Sequence, residues 1–313
     1  MGIYQLNTDK LTLQGFLLFI FVGRLIITPI NKFSVNFVWM HALIASYGRI
    51  SELFAISNEV KDGPYEINSL KNNVAFRNVS FSYGFSPVLT DISLTLKKGE
   101  TIAIVGQSGS GKSTITDLFL RLYDPDKGQI LIDNVNLKKI NGDKYRNLFG
   151  VVSQESLLFN DTIENNIRFG RSNLSIQEIE LAARDANAHE FIENLPEGYQ
   201  TFVGDRGIKL SGGERQRISI ARAICSKPQI LIFDEATSSL DSRSEKKVQS
   251  SIKSLLEGST GIIIAHRFST ILDADRILVV SDGKIEAEGI HNDLLSSSST
   301  YKNLYNLQSS KKE

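Results

Sequence analysis

The stretch Gly106-Gln107-Ser108-Gly109-Ser110-Gly111-Lys112-Ser113 fits the pattern G-x-x-x-x-G-K-S/T. It follows an apolar, β-rich run, residues 101–105, and leads into a helix-like run that begins at Thr114. Because glycines let successive backbone N–H groups point inward, and a helix N-terminus carries partial positive charge, such a loop cradles phosphate oxygens. A Gly-Ser linker that happens to contain a lysine is the alternative, and the flanking strand and helix count against it.

Residues 106–114 are therefore predicted to bind the phosphate groups of a nucleotide. In that arrangement Lys112 reaches the β and γ phosphates and helps to stabilise the phosphoryl group that is transferred. The hydroxyl of Ser113 is predicted to hold Mg²⁺.

The composition is that of an ordinary globular chain. Its 313 residues allow about two domains, and 41% of them are hydrophobic and 22% charged. Lys plus Arg and Asp plus Glu number 35 each, so no global field attracts nucleic acid, and no nucleic-acid partner is predicted. Cys225 is the only cysteine, which excludes an internal disulfide and predicts a small buried residue.

The first part of the chain is much more apolar than the rest. Residues 11–30 are broken by few polar side chains, and their length is close to the roughly 20 residues that span a bilayer. Arg24 lies inside this run, where it would face a bundle interior or a water-filled cavity; a buried or interfacial helix is the alternative to a spanning one. Helical spacing of apolar residues continues from Asn31 to Asn58, which predicts a long helix that runs on out of the membrane.

Chain-breaking residues separate this helix from the remainder of the sequence. Lys61-Asp62-Gly63-Pro64 and the asparagines after it predict a linker over residues 61–72. We therefore expect a partial membrane domain at 1–60 and a second domain at 73–313. Residues 296–299 and the last five residues are expected to be a frayed tail.

The second domain contains two kinds of strand pattern. Apolar residues alternate with polar ones at 74–83 and 92–96, which predicts half-buried antiparallel strands. Four continuous apolar runs, separated by helical segments, predict a parallel sheet buried on both faces. They are residues 102–105, 230–233, 261–265 and 277–280.

Two acids follow the apolar run at 230–233. Ligands of a parallel α/β sheet bind at the carboxyl ends of its strands, so Asp234 is placed to hold Mg²⁺ through water. Glu235 is a candidate general base that orients an attacking water. An exposed Asp-Glu turn is the alternative for this pair.

A second phosphate-binding helix start is predicted at Ser211-Gly212-Gly213, which opens an amphipathic helix with free backbone N–H groups and a serine hydroxyl. A structural cap explains the serine, but it leaves the paired glycines unexplained. The whole run Leu210-Ser211-Gly212-Gly213-Glu214-Arg215-Gln216-Arg217 resembles the signature of ATP-binding cassette (ABC) ATPases, and it stands between the other two motifs at family-like spacing.

The resemblance covers residues 74–308 and implies roles for four further residues. Tyr83 matches the aromatic residue that stacks on adenine, although an aromatic in a strand is more often part of a core. Gln154 matches the glutamine that senses Mg²⁺ and the γ-phosphate and links to the membrane part. Asp241 matches the D-loop aspartate in the nucleotide site, and His266 matches the histidine that contacts the γ-phosphate.

The resemblance also implies the fold and the ligands. The expected fold class is α/β, a P-loop NTPase of ABC type with a mixed sheet core, an antiparallel β subdomain and an α-helical signature subdomain, preceded by a long N-terminal membrane and cytoplasmic helix. The expected ligands are ATP and Mg²⁺. Residues 203–207 resemble the X-loop of exporters, which touches the helices that descend from the membrane, and Asp205 stands where the family more often has Glu.

The implied function is ATP hydrolysis that powers export across a membrane. The implied partners are a second ABC subunit, in a homodimer or heterodimer, together with membrane lipid and the remaining transmembrane helices. The implied location is a membrane with the nucleotide-binding domain in the cytoplasm. A soluble ABC ATPase that acts as an ATP-switched remodelling or binding module, or an inactive truncated remnant, are the alternatives.

One departure from the family is the number of membrane helices. Exporter halves resemble six such helices followed by one cassette, whereas this chain has room for one. Either Met1 lies within a longer subunit, or the gene is truncated, or another chain supplies the missing helices. The cassette motifs are common to exporters of lipids, drugs, peptides and metal conjugates, so they do not specify a cargo.

Overall fold

The computed structural model describes residues 12–55, 60–171, 173–234, 242–264 and 271–309. The chain divides into two compact units, Met1–Asn58 and Glu59–Glu313. The division falls before the segment expected to be a linker, so residues 61–72 belong to the second unit.

The first unit contains one long helix, α1 (Leu13–Ala55), of 43 residues or about 65 Å at about 1.5 Å per residue. In the described part of the chain it is the one helix long and apolar enough to cross a membrane, with a window of mean hydropathy 1.9. Pro29 lies inside the helix, and the preceding Thr28 hydroxyl donates to the main-chain oxygen of Arg24 at 2.7 Å. The expected long N-terminal helix is confirmed.

The second unit alternates short strands and helices. In chain order its elements are β1 (Asn73–Tyr83), β2 (Ser86–Lys97), β3 (Thr101–Val105), α2 (Lys112–Phe119), β4 (Lys127–Ile132), β5 (Val135–Asn136), α3 (Gly142–Arg146), β6 (Phe149–Val152), α4 (Ile163–Arg168), α5 (Ile176–Asp185), α6 (His189–Glu193), α7 (Gly212–Ile224), β7 (Ile230–Asp234), α8 (Ser242–Leu256), β8 (Thr260–Ile264), β9 (Arg276–Ser281), β10 (Lys284–Gly289), α9 (His291–Ser297) and α10 (Ser299–Ser309).

Four strands form an antiparallel sheet in the order β2-β1-β4-β5. On β1 the buried side chains include Val74 and Phe76, and then Val79 and Phe81, so the alternation changes phase between the two pairs. A register shift absorbs the extra residue there, with Asn78 at φ 49°. This sheet is the expected antiparallel subdomain.

The larger sheet has six strands in the order β10-β9-β3-β8-β7-β6. All pairs are parallel except the antiparallel pair of β10 and β9 at one edge. Every residue of β3 and of β8 is buried, as their continuous apolar runs require when helices cover both faces. The mixed sheet core is therefore confirmed.

A separate core lies beneath the helices that surround α7. Ile163 and Ile167 of α4, Ile179 of α5, and Ile218 and Ile220 of α7 are all fully buried in it. The six-stranded sheet contributes the other wall through β6 and β7. This helical cluster is the expected α-helical signature subdomain.

The segment expected to be a linker is paired with the body of the second unit. The N–H of Gly63 donates to the main-chain oxygen of Ile140 at 3.0 Å, and the N–H of Asn141 donates to Tyr65 at 2.7 Å. A Cβ on Gly63 would lie 2.0 Å from the carbonyl carbon of Lys139, so only glycine fits this approach. Leu70 is fully buried.

The expectation of a frayed tail at 296–299 is wrong. Residues 296 and 297 end α9, and α10 begins at Ser299. Ser298 and Tyr301 are buried, and the Tyr301 hydroxyl lies 2.8 Å from Nδ1 of His291. This tertiary burial outweighs the local preference of a serine run for disorder. The last four residues lie outside the described part of the chain.

Candidate functional site

The phosphate loop connects β3 to α2 in the predicted strand, loop, helix order. Gly109 and Gly111 have φ of 78° and 103°, a region that glycine enters without strain. A Cβ on Gly106 would lie 2.2 Å from the main-chain oxygen of Val280, and one on Gly111 would lie 2.6 Å from Cδ2 of Leu89. Backbone conformation and close packing therefore both require the glycines of the motif.

The loop is lined with hydrogen-bond donors. The ammonium group of Lys112 is buried and lies 2.8 Å from the main-chain oxygen of Gln107 and 3.1 Å from that of Gly106. The Ser110 hydroxyl is also buried and has no hydrogen-bond partner among the residues that the structure describes. The first N–H groups of α2 have no partner within their own helix.

These groups suit an anion with several oxygens. A buried ammonium group, an unsatisfied hydroxyl and a helix N-terminus lie on one short loop whose glycines leave its backbone open to a ligand. The triphosphate of a nucleotide has the charge and the acceptors that such a cradle lacks.

Tyr83, the predicted adenine-stacking residue, lies next to this loop. Its hydroxyl donates to Oδ2 of Asp117, on α2, at 3.0 Å. Burial raises the pKa of Tyr83, the neighbouring Thr114 hydroxyl counteracts that rise, and Asp117 adds to it. The structure thus brings Tyr83 and the phosphate loop together, although they are far apart in sequence, and leaves the Tyr83 side chain 42% exposed.

The carboxyl edge of the large sheet carries the other described candidates. Val152 of β6 pairs with Phe233 of β7, and Asp234 pairs with Ile264 of β8, so these strands end level with one another. Asp234 is half-buried at this edge, and Gln154 is exposed two residues beyond β6.

Oxygen donors for a divalent cation are present on this edge. Ser113 presents an exposed hydroxyl in the first turn of α2, and β3, which leads into the loop, is the neighbour of β8 in the same sheet. The Ser113 hydroxyl, the Gln154 amide oxygen and the Asp234 carboxylate are of the hard oxygen type that Mg²⁺ prefers, so the residues present fit that ion.

Three predicted residues, Glu235, Asp241 and His266, lie outside the described part of the chain. Glu235 directly follows β7, and His266 comes two residues after the end of β8. The roles of all three remain predictions, and the two strands that end just before Glu235 and His266 end at the expected edge of the sheet.

The signature segment opens α7 with a capping box. The Ser211 hydroxyl accepts from the N–H of Glu214 at 3.3 Å, and the Glu214 carboxylate accepts from the N–H and the hydroxyl of Ser211, each at 2.8 Å. Gly213 also has a structural reason, because a Cβ there would lie 2.4 Å from Cβ of Ser244 on α8. Close packing, which is separate from the cap, thus gives a structural reason for Gly213, and the role of Gly212 in phosphate binding stays a prediction.

Sequence reasoning missed Asp117. It lies three residues after Thr114 and four after Ser113, so helical spacing places it near both on α2. That spacing was the available signal, but its partner Tyr83 lies on β1 of the other sheet, and only the tertiary structure pairs them.

Comparison with known proteins gives a consistent result. Residues 89–238 match the ABC transporter family. The chain is 43% identical over 309 residues to an ATP-dependent lipid A-core flippase of Syntrophus aciditrophicus, covering 98% of this chain and 51% of the flippase. It is 48% identical over 243 residues to ABC transporter B family member 2 of Dictyostelium discoideum, covering 77% of this chain and 17% of that protein.

A solved structure agrees with these matches. A bacterial Atm1-family ABC exporter with ATP bound superposes with a TM-score of 0.79 at 42% identity, covering 85% of this chain and 47% of the exporter chain. This chain spans about half the length of the flippase as well. The resemblance noted in the sequence is confirmed: the chain belongs to the ABC transporter family and corresponds to the C-terminal part of an exporter subunit.

Proposed function

We propose that the chain binds ATP with Mg²⁺ and hydrolyses it to power export across a membrane, as part of a dimeric ABC exporter. The observation that carries this proposal is the phosphate loop, whose glycines bend the backbone and which holds the buried Lys112 ammonium group and the unsatisfied Ser110 hydroxyl. One relative of the chain is named an ATP-dependent flippase, which supports the choice of ATP as the nucleotide.

ATP binding divides between two parts of the site. Backbone N–H groups of residues 106–114, together with Lys112, bind the phosphates, and Lys112 exchanges its own loop carbonyls for the β and γ oxygens. Tyr83, which is 42% exposed, stacks on the adenine.

Hydrolysis uses groups at the carboxyl edge of the sheet. Mg²⁺, when bound, neutralises charge on the phosphate oxygens, and Ser113, Gln154 and Asp234 are the residues that would hold it. Glu235 accepts a proton from the attacking water, and His266 orients the γ-phosphate. Lys112 and the loop N–H groups stabilise charge on the transferring phosphoryl group.

A second subunit completes each site. Ser211 and Gly212 open α7, which is packed in the helical core, whereas the phosphate loop opens α2 in the core of the sheets. One nucleotide cannot easily use two helix starts that face it from the same side. A head-to-tail dimer places each ATP between the loop of one subunit and the signature of the other, and Asp241 keeps its predicted role in that nucleotide site. ATP-driven closure then changes the arrangement of the membrane helices.

The proposed location is a membrane, with the nucleotide-binding domain in the cytoplasm. The large apolar side chains of α1 are exposed, among them Phe19 and Phe33, and suit contact with lipid and with further transmembrane helices. In the second unit the rings of Phe159 and Phe169 lie 5.5 Å apart at an interplanar angle of 30°, and the two residues are 59% and 47% exposed. The guanidinium group of Arg222 packs over both rings. These exposed aromatic residues suit contact with the cytoplasmic end of a further transmembrane helix.

Phosphate release by the purified chain in detergent or in lipid bilayers tests the activity. We expect Mg²⁺-dependent release from ATP, loss of nucleotide binding in Lys112→Ala, and near-normal binding in the control Lys98→Ala, whose lysine is exposed. Retention of ATP binding by Lys112→Ala would contradict the assigned site. Recovery of the chain in the soluble fraction without detergent would favour a soluble ATP-switched module over an exporter.

A further inference from the structure

The Tyr83 side chain makes a hydrogen bond and two aromatic contacts within the protein, in addition to its proposed stacking on a base. Tyr83 is the last residue of β1, followed by a turn in which Gly84 has φ 62° and Phe85 is fully exposed. A tyrosine at the end of a hairpin strand, with 42% of its surface exposed, has room to change rotamer. Whatever fixes the ring therefore also fixes the surface offered to a base.

Two aromatic rings limit the movement of Tyr83. Phe81 and Tyr123 approach it edge-on, with ring centroids at 4.9 Å and 5.3 Å and interplanar angles of 87° in both cases. Phe81 and Tyr123 also contact each other at 5.3 Å. These contacts support the ring but are apolar, so they leave the direction of the hydroxyl to another group.

Asp117 supplies the acceptor for that hydroxyl, and the Thr114 hydroxyl, also on α2, interacts with the same oxygen. Oδ2 of Asp117 accepts the Tyr83 hydroxyl at 3.0 Å, and Asp117 stands on α2, whose first turn is part of the phosphate loop. The hydrogen bond therefore ties the aromatic ring to the helix that orients the phosphates. Loss of this bond is therefore expected to change the position of the ring relative to the phosphate loop.

We propose that Asp117 is a positioning residue for the nucleobase, which sets the ring of Tyr83 at the angle and height that stacking on a purine requires. The inference rests on the proposed ATP-binding function and extends it to the part of the affinity that depends on the base. Asp117 makes no contribution of its own to phosphate binding.

The test compares two ligands that differ in the base: ATP and inorganic triphosphate, each with Mg²⁺, titrated by calorimetry onto the full chain in detergent. We expect Asp117→Ala to lower the affinity for ATP by about threefold to tenfold relative to the affinity for triphosphate, because the hydrogen bond to Tyr83 is lost. In Asp117→Asn the amide oxygen can still accept the hydrogen bond from the Tyr83 hydroxyl, so the ratio of ATP affinity to triphosphate affinity is expected to stay at the wild-type value. Asp126→Ala, at an exposed aspartate outside this cluster, is the matched control.

A double-mutant cycle separates positioning from a general structural effect. Tyr83→Phe removes the hydroxyl and is expected to reduce the ratio of ATP affinity to triphosphate affinity, as Asp117→Ala does. The double variant is expected to reduce this ratio no further than either single variant. Additive losses, or an equal loss of ATP and triphosphate affinity in Asp117→Ala, would overturn the inference. If the wild-type chain binds neither ligand, it is the proposed ATP-binding function that fails instead.

Discussion

The guanidinium group of Arg121 donates from Nη2 to the main-chain oxygen of Lys61 at 2.7 Å and from Nη1 to that of Ile140. Arg121 is 1% exposed and comes two residues after α2 ends. Its φ is 52°, and the N–H groups of Arg121 and Leu122 cap the helix by donating to Leu118 and Asp117. Glycine is the usual residue at such a position, and the hydrogen bonds of the Arg121 side chain offset the backbone strain that an arginine has there.

Removal of this side chain is expected to loosen residues 61–65. Arg121→Ala should lower the free energy of unfolding by about 3 kcal/mol, because a buried charged donor is lost and the Lys61 carbonyl is left without it. Trypsin should cut the bond after Lys61 faster, since the carbonyl of that bond is the one Arg121 holds. Urea unfolding and timed digestion of the chain in detergent measure the two effects.

Arg121→Gly is the matched control for the backbone. It loses the same hydrogen bonds but relieves the positive φ, so it should be more stable than Arg121→Ala by about 1 kcal/mol while remaining as sensitive to trypsin after Lys61. The exposed Arg77→Ala should change neither quantity. Normal protection at Lys61 in both Arg121 variants would refute the assigned role.

The close approach of α7 to α8 gives a second prediction. Gly213→Ala should destabilise the chain by about 1–3 kcal/mol, because the new Cβ would lie 2.4 Å from Cβ of Ser244. Ser244→Gly removes that obstacle and should restore most of the loss when both changes are combined, despite its own helix cost of up to about 1 kcal/mol. Thermal unfolding of the two single variants and the double one decides the matter; additive losses would show that this close approach is not the cause.

Local patterns predicted the elements whose structure is determined locally. The glycine spacing of residues 106–113 fixed the strand, loop and helix, because the positive φ at Gly109 and Gly111 is a property of those residues themselves. The continuous apolar run at 230–233 likewise predicted a doubly covered strand.

Contacts between distant segments were beyond such patterns. The local sequence predicts a linker at Gly63, because the partner of its N–H, Ile140, lies 77 positions away in sequence. Ser298 is buried by tertiary packing that a serine run does not predict.

Stacking alone predicts that Tyr83→Phe leaves the affinity for ATP nearly unchanged. The hydrogen bond to Asp117 instead predicts a measurable loss of affinity, smaller than that caused by Tyr83→Ala.

Glu235 provides a test of the chemical step. Glu235→Gln should keep ATP binding but nearly stop turnover, because the amide retains the shape of the carboxylate and cannot accept the proton of the attacking water. Comparison of ATP affinity with steady-state phosphate release measures the two effects separately. ATPase activity near that of the wild type in purified Glu235→Gln would remove Glu235 from its proposed role.

The proposed dimer predicts a crosslink between two specific positions. Ser108 is exposed in the phosphate loop, and Gly212 is half-buried at the start of α7. Gly213 cannot serve in place of Gly212, since its Cβ would collide with Ser244. Burial leaves the Cys225 side chain 3% exposed and raises the pKa of its thiol, so it should react slowly, and Cys225→Ser removes it altogether.

Ser108→Cys combined with Gly212→Cys, in a Cys225→Ser and Glu235→Gln background, should therefore give a covalent dimer on oxidation when ATP and Mg²⁺ are present. ATP holds the loop of one subunit against the signature of the other, which brings the two thiols within the short range that a disulfide requires. Much less dimer should form without nucleotide, or when Lys112→Ala is added to prevent ATP binding. Each single-cysteine chain should remain monomeric on the same non-reducing gel. Crosslinks formed only within one chain, or equally with and without ATP, would contradict the sandwich of ATP between two subunits.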